Sequence, residues 1–142
     1  MFPLGHFAIG YFTGLIIQRY TKEDFNIFLI WLISLSPDID FLIPFVEHRG
    51  PTHSILFAIS IFIPIFVKYR RGLPYFGALA SHSLIGDYFT DYGCKILWPL
   101  NDNWIKVSNP FLLVGGKKIV TEFLLFSIML LVIYIHSRAT KT

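Results

Sequence analysis

Phe25–Val46, FNIFLIWLISLSPDIDFLIPFV, is a run of 22 residues whose only ionisable side chains are Asp38 and Asp40. Lys22, Glu23 and Asp24 precede it, and Glu47, His48 and Arg49 follow it. About 20 apolar residues rising 1.5 Å each cross a bilayer's hydrocarbon core, so the length suits a membrane span. The two aspartates do not suit lipid. One carboxylate at the bilayer centre costs about 2.5–3.5 kcal/mol even on the lenient insertion scale, so something must neutralise them.

Similar blocks lie on both sides. One runs from Phe2 to Ile17 and ends at Arg19; another runs from Ser54 to Val67 and stops at Lys68, Arg70 and Arg71. A fourth begins near Leu73 and continues past Ile85, taking in His82, Asp87 and Asp91 before Gly93. The fifth, Ile119–Ile135, is broken only by Glu122 and ends at Arg138. The links between the first four are short, as in a helical bundle. Lys95–Lys118 is the one long connection, and Trp98 and Trp104 within it suit a loop at headgroup depth.

Composition agrees. Of 142 residues 54% are hydrophobic and only 15% charged, against about 25% charged in soluble domains. A net charge of +3 without a basic stripe argues against nucleic acid as a partner. Cys94 is the single cysteine, which excludes an internal disulfide. Met1–Gly14 has no charged leader region, so the first block is expected to stay in the mature chain. The expected fold is all-α: an integral membrane protein with four to five transmembrane helices in one bundle, a single domain over residues 1–142.

Successive spans alternate direction, and this brings the ionisable groups together. His6 starts the first helix and Asp38 and Asp40 end the second. His48, Arg49 and His53 lead into the third, Asp87 and Asp91 end the fourth with His82 deeper, and Glu122 starts the fifth. All of these fall on one face; His136 alone among the histidines lies at the other end and reads as a surface residue. Some have plainer alternatives. Thr52 and Ser54 suit a helix cap, Asp91-Tyr92-Gly93 suits a turn, and Glu122 suits an acid at a helix start. Imidazoles and carboxylates gathered at one depth are nonetheless the donor set of Zn, Mn or Fe. One or two such divalent ions, Zn first among them, would also remove the charge problem. Arg49 has the planar fork that matches phosphate or carboxylate oxygens.

The segments GHFAIG (Gly5–Gly10), PDID (Pro37–Asp40), HRGPTHS (His48–Ser54) and DYFTDYGCKILWP (Asp87–Pro99) resemble the YdjM-type family of membrane-bound metal-dependent hydrolases. The likeness spans residues 5 to about 122, and HRGPTHS is its most specific piece. It implies that His6, Asp38, Asp40, His48, His53, His82 and Asp87 are metal ligands, and Glu122 fits the family's acid at the start of the last helix. One feature departs from the family pattern. There, three residues separate the histidine and aspartate of the fourth motif; here four separate His82 from Asp87. At about 100° per residue the two would stand about 140° apart instead of about 40°. Either a π-bulge near Gly86 restores the alignment, or His82 is not a ligand.

The sequence therefore leads to metal-assisted hydrolysis of an ester or phosphoester in a lipid or lipid-linked substrate. Arg49 is expected to hold the anionic group, and Asp91 or Glu122 to handle protons. Two rivals belong to other classes. An ion or proton transporter also uses intramembrane Asp and His, but the far halves of these helices are almost wholly apolar. A non-enzymatic metal-binding membrane module needs only a closed site of four ligands, fewer than this chain offers.

Orientation follows from the basic residues. Arg49, Lys95, Lys106, Lys117 and Lys118 lie on the site face, and Arg19, Lys22, Lys68, Arg70, Arg71, Arg138 and Lys141 on the other. The cluster Lys68, Arg70 and Arg71 occupies a short loop, where the positive-inside bias is strongest. This makes the chain a multi-pass protein of the cell membrane with its site open to the extracytoplasmic leaflet. In a Cys94→Ser background, a cysteine in the Lys68–Arg71 loop should resist a membrane-impermeant thiol reagent in intact cells, while one at Pro51 should react. The reverse pattern would invert the orientation.

Overall fold

The computed structural model describes residues 3–90, 92–107 and 115–139. Asn26 sets the second helix: its Oδ1 accepts from the Phe28 and Leu29 amides and satisfies two orphan N–H groups of the first turn. That helix, α2 (Ile27–Leu35), is preceded by α1 (Pro3–Thr21) and followed by a 3₁₀ segment, Ser36–Leu42. Pro37 lies in the first turn of the 3₁₀ segment, where its missing N–H does least harm. A 3₁₀ turn, Pro51–His53, leads into α3 (Ile55–Tyr69), whose N-cap Ser54 accepts from the Phe57 amide. α4 (Leu73–Ser81) passes directly into a π-helical turn, His82–Asp87, and α5 (Gly115–Ala139) closes the chain. No strand occurs among the described residues; Cys94 and Ile105 form one antiparallel bridge in the loop.

α1 is the central helix, packed on α2, α4 and α5. Small residues permit this. A Cβ on Gly10 would stand 2.7 Å from the Ser34 Cβ and 3.4 Å from the Ala78 Cβ, so three helices meet at one small-residue point. Where lipid removes the hydrophobic drive between helices, such close approach gains dispersion contacts. Ala8, Tyr11, Ile30, Ala78 and Met129 form the buried core around it. At the opposite end from the ionisable cluster, Glu23 accepts from the Gly72 and Leu73 amides and caps α4 across the bundle.

The all-helical expectation is met. Among the described residues one helix, Lys117–Arg138, is long and apolar enough to cross a membrane by itself, and Ile55–Tyr69 is a shorter apolar helix. The second and fourth blocks are not single α-helices. Each gives way to a tighter or wider turn at its polar end, at Ser36 and at His82. The expected helix from Leu73 to about Gly93 thus ends its regular part at Ser81.

Gly10→Val should separate α1 from α2. Overpacking of this kind costs about 1–3 kcal/mol, so the detergent-solubilised variant should melt several degrees lower. An unchanged melting temperature would show that the contact at Ser34 is not tight.

Candidate metal centre

The 3₁₀ segment delivers Asp38, the short turn before α3 delivers His53, and the π-turn delivers His82 and Asp87. Their donor atoms converge. His53 Nε2 lies 3.2 Å from Asp87 Oδ2 and 3.4 Å from Asp38 Oδ1. His82 Nε2 lies 3.4 Å from each of the same two oxygens, and the two Nε2 atoms are 3.1 Å apart. Ligands at about 2.0–2.1 Å from a tetrahedral zinc would be separated by about 3.3 Å. Five of the six separations are close to that value and all lie within 4.8 Å, and the chemistry of the set, two imidazoles with two carboxylates, suits a divalent metal.

The outer contacts fix the imidazole tautomers. His82 Nδ1 lies 2.6 Å from the Ser34 carbonyl, which can only accept, so Nδ1 carries the hydrogen. The Thr52 hydroxyl donates to Asp40 Oδ2 at 2.9 Å, leaving its oxygen to accept from His53 Nδ1 at 3.1 Å. Asp40 Oδ2 itself is 3.3 Å from His53 Nδ1. In their neutral forms the two rings would turn an Nε2 lone pair to the centre, the arrangement found when a ligating histidine is oriented by a carboxylate or carbonyl behind it.

The π-turn solves the spacing of the fourth motif. Tyr88 N–H bonds to the Ser83 carbonyl at 3.0 Å, an i to i+5 contact that widens the turn. His82 and Asp87 then share one side despite the four residues between them. Gly86 leaves room for His6: a Cβ there would come within 2.5 Å of His6 Nδ1. His6 stacks on His82 with ring centroids 3.6 Å apart and 7° between planes. It is fully buried, its Nε2 is 3.6 Å from Asp87 Oδ1, and neither ring nitrogen has a hydrogen-bond partner among the described residues. It lies beside the four converging donors, not among them.

Asp40 and His48 also sit one layer out. Asp40 Oδ1 meets His48 Nδ1 at 2.9 Å, while Oδ2 accepts from the Arg49 amide at 3.0 Å and from Thr52. Asp40, His48 and His53 form a second cluster with metal-ligand atoms in reach of one another, crossed by these hydrogen bonds. The Arg49 side chain is buried against protein. Nη2 pairs with Asp87 Oδ1 at 3.1 Å, Nη1 bonds to the Thr90 hydroxyl at 2.8 Å, and Nε reaches His48 Nε2 at 3.3 Å. Its backbone φ is +63°, a region uncommon for non-glycine residues and concentrated at functional sites. Above it opens a cleft of about 360 Å³ lined by His48, Arg49, Tyr92 and Trp104.

Glu122 does not open the fifth helix but lies about two turns into α5, buried against the start of α1, where its Oε2 accepts from the Gly5 amide at 3.3 Å. Asp91 lies outside the described residues. Ser54 caps α3 as expected, whereas Thr52 serves Asp40. Sequence reasoning missed Ser34 and Thr90, because a backbone acceptor and an arginine partner leave no pattern in the sequence. Lys95 was read only as a basic loop residue; Asp102 and then Glu47 hold its ammonium above the ordinary range, and its amide donates to the Arg49 carbonyl, tying the long loop to the site.

An all-helical membrane protein with a buried cluster of histidines and aspartates at one end of its bundle is the class these observations define. The chain belongs to the YdjM inner membrane protein family, whose model matches residues 1–141. No curated protein and no solved structure matches it.

Cys94 lies beside this cluster, its thiol 3.7 Å from the Ser83 carbonyl. Burial, reinforced by Asp87, pushes the thiol up to about 12. Only the thiolate reacts, so Cys94 in the folded protein should resist iodoacetamide at pH 8 and become reactive on unfolding. Fast labelling of the native protein would contradict the burial.

Proposed function

We propose that the chain is a multi-pass, metal-dependent hydrolase that cleaves an ester or phosphoester of a lipid or lipid-linked substrate. The observation that carries this reading is the spacing of four donors, Asp38, His53, His82 and Asp87, at 3.1–3.4 Å for the five separations described above. Four to five segments traverse the membrane, with α2 and its 3₁₀ continuation acting as one. Together they reach about 27 Å at 1.5 and 2.0 Å per residue.

A single ion fits the four converging donors. Zinc is the first candidate, with manganese and iron as alternatives.

His53, His82 and Asp87 are buried and would hold the ion. The Asp38 side chain is 22% exposed while the other three are at most 1% exposed, so Asp38 is the member placed to exchange protons with water. Asp40 orients His53, and Arg49 holds Asp87 while facing the cleft. A divalent ion at this centre supplies Lewis acidity toward water and the scissile group.

A second reading has its own support. Four protein donors at tetrahedral spacing close a site, and closed sites are structural. The two readings part at Asp38. Purified wild type should carry about one tightly bound divalent ion per chain by mass spectrometry of metals. His53→Ala and His82→Ala should lose it, Asp40→Asn should bind it about 10–100-fold more weakly, and His136→Ala should match wild type. Under the hydrolase reading Asp38→Asn keeps the ion and loses phospholipid turnover; under the structural reading wild type turns over nothing. Equal metal in wild type and His53→Ala would sink both.

A further inference from the structure

We infer that the cleft over Arg49 is a docking site for a lipid with an anionic, phosphate-bearing headgroup, which enters sideways from the leaflet and not from water. The substrate class it names belongs to the hydrolase reading, on which it rests. The cleft's walls are His48, Tyr92 and Trp104, and Arg49 forms its floor. Its volume of about 360 Å³ is at the low end for small-molecule sites. A headgroup fits; acyl chains must lie outside.

The surroundings suit those chains. Phe41 leans on the His48 ring, with centroids 3.7 Å apart. The segment that follows, through Leu42 and Phe45, is exposed, and Phe45 is fully so with φ +68°. On the other side, Leu100 and Trp104 of the long loop are exposed. Exposing a large apolar side chain to water forgoes about 1.5–3 kcal/mol, so these rims at the site face belong in lipid. Aromatic side chains are the usual residues of that depth.

The floor supplies the charge. Arg49, paired with Asp87 on its inner side, lies 5.5 Å from the Tyr92 ring centre, and Lys95, held by Glu47 and Asp102, lies 5.7 Å from that of Trp104. Cationic groups fill the aromatic faces that would otherwise receive a choline-type headgroup. An anion is the complementary guest, with apolar chains leaving over Phe41, Phe45 and Leu100.

The test uses the full-length, metal-loaded protein in detergent, carrying Trp31→Phe and Trp98→Phe so that Trp104 is the sole fluorophore. Phosphatidylglycerol with brominated chains should quench Trp104 saturably, at a mole fraction at least about fivefold below that needed for brominated phosphatidylcholine. Unbrominated phosphatidylglycerol should compete, and millimolar glycerol 3-phosphate should not. Arg49→Gln should erase the preference. Because that change also removes the partner of Asp87, Phe45→Ser, a fully exposed position, provides the second arm and should weaken phosphatidylglycerol docking severalfold. Equal quenching by the two lipids, or competition by glycerol 3-phosphate as effective as by the lipid, would overturn the proposal. Saturable, selective quenching without turnover would support docking while removing the hydrolase reading.

Discussion

Two carboxylates and two imidazole lone pairs point at one spot at the end of an apolar bundle, with Asp38, His53, His82 and Asp87 donors within 4.8 Å of one another. His53, His82 and Asp87 are at most 1% exposed, and an isolated ionised group in such a medium is the most expensive thing a fold can bury. The neighbouring structure answers this constraint. Arg49 supplies one fixed positive charge at Asp87, and the Ser34 carbonyl and Asp40 orient the rings. Removing any one outer partner would leave a buried group uncompensated, which is why these contacts matter more than their individual strengths.

The same constraint explains where regular helix stops. An α-helix continued through His82–Asp87 would turn the two side chains away from each other, and the π-turn prevents it. The 3₁₀ segment does the complementary work on α2. At about three residues per turn, positions two apart differ by about 120°, so Asp38 faces the centre while Asp40 faces His48 and the turn before α3. Both departures from α-geometry sit at the polar end of the bundle, and the apolar ends stay regular.

That much could be partly read from the residues. Helices joined by short links alternate direction, so the gathering of His6, Asp38, His53, His82, Asp87 and Glu122 at one end followed from order alone. The five-residue step from His82 to Asp87 leaves two outcomes open, a π-bulge near Gly86 or a His82 that is no ligand, and the π-turn is the one the structure has. Layering within the cluster was not legible. Nothing in PDID says which aspartate turns inward, because that depends on 3₁₀ winding after Pro37. Nor does spacing reveal that Glu122 meets the first turn of α1, 117 residues away in sequence. The count of spans is also weakly encoded, since the segments that stop short as α-helices continue in other windings.

Asp40 shows how far the layering constrains function. A carboxylate has about four lone-pair sites, and Asp40 already receives His48, the Arg49 amide, the Thr52 hydroxyl and the His53 ring. Three of these contacts fall on Oδ2 and one on Oδ1, and the contact with His53 ties Asp40 to the centre. The contacts then close on themselves: Asp40 to His48, His48 to Arg49, Arg49 to Asp87, Asp87 to His53, and His53 back to Asp40. Arg49 and His48 line the cleft, while Asp87 and His53 face the centre. Arg49 is thus the residue that joins the cleft to the centre, lining the one and pairing with Asp87 of the other.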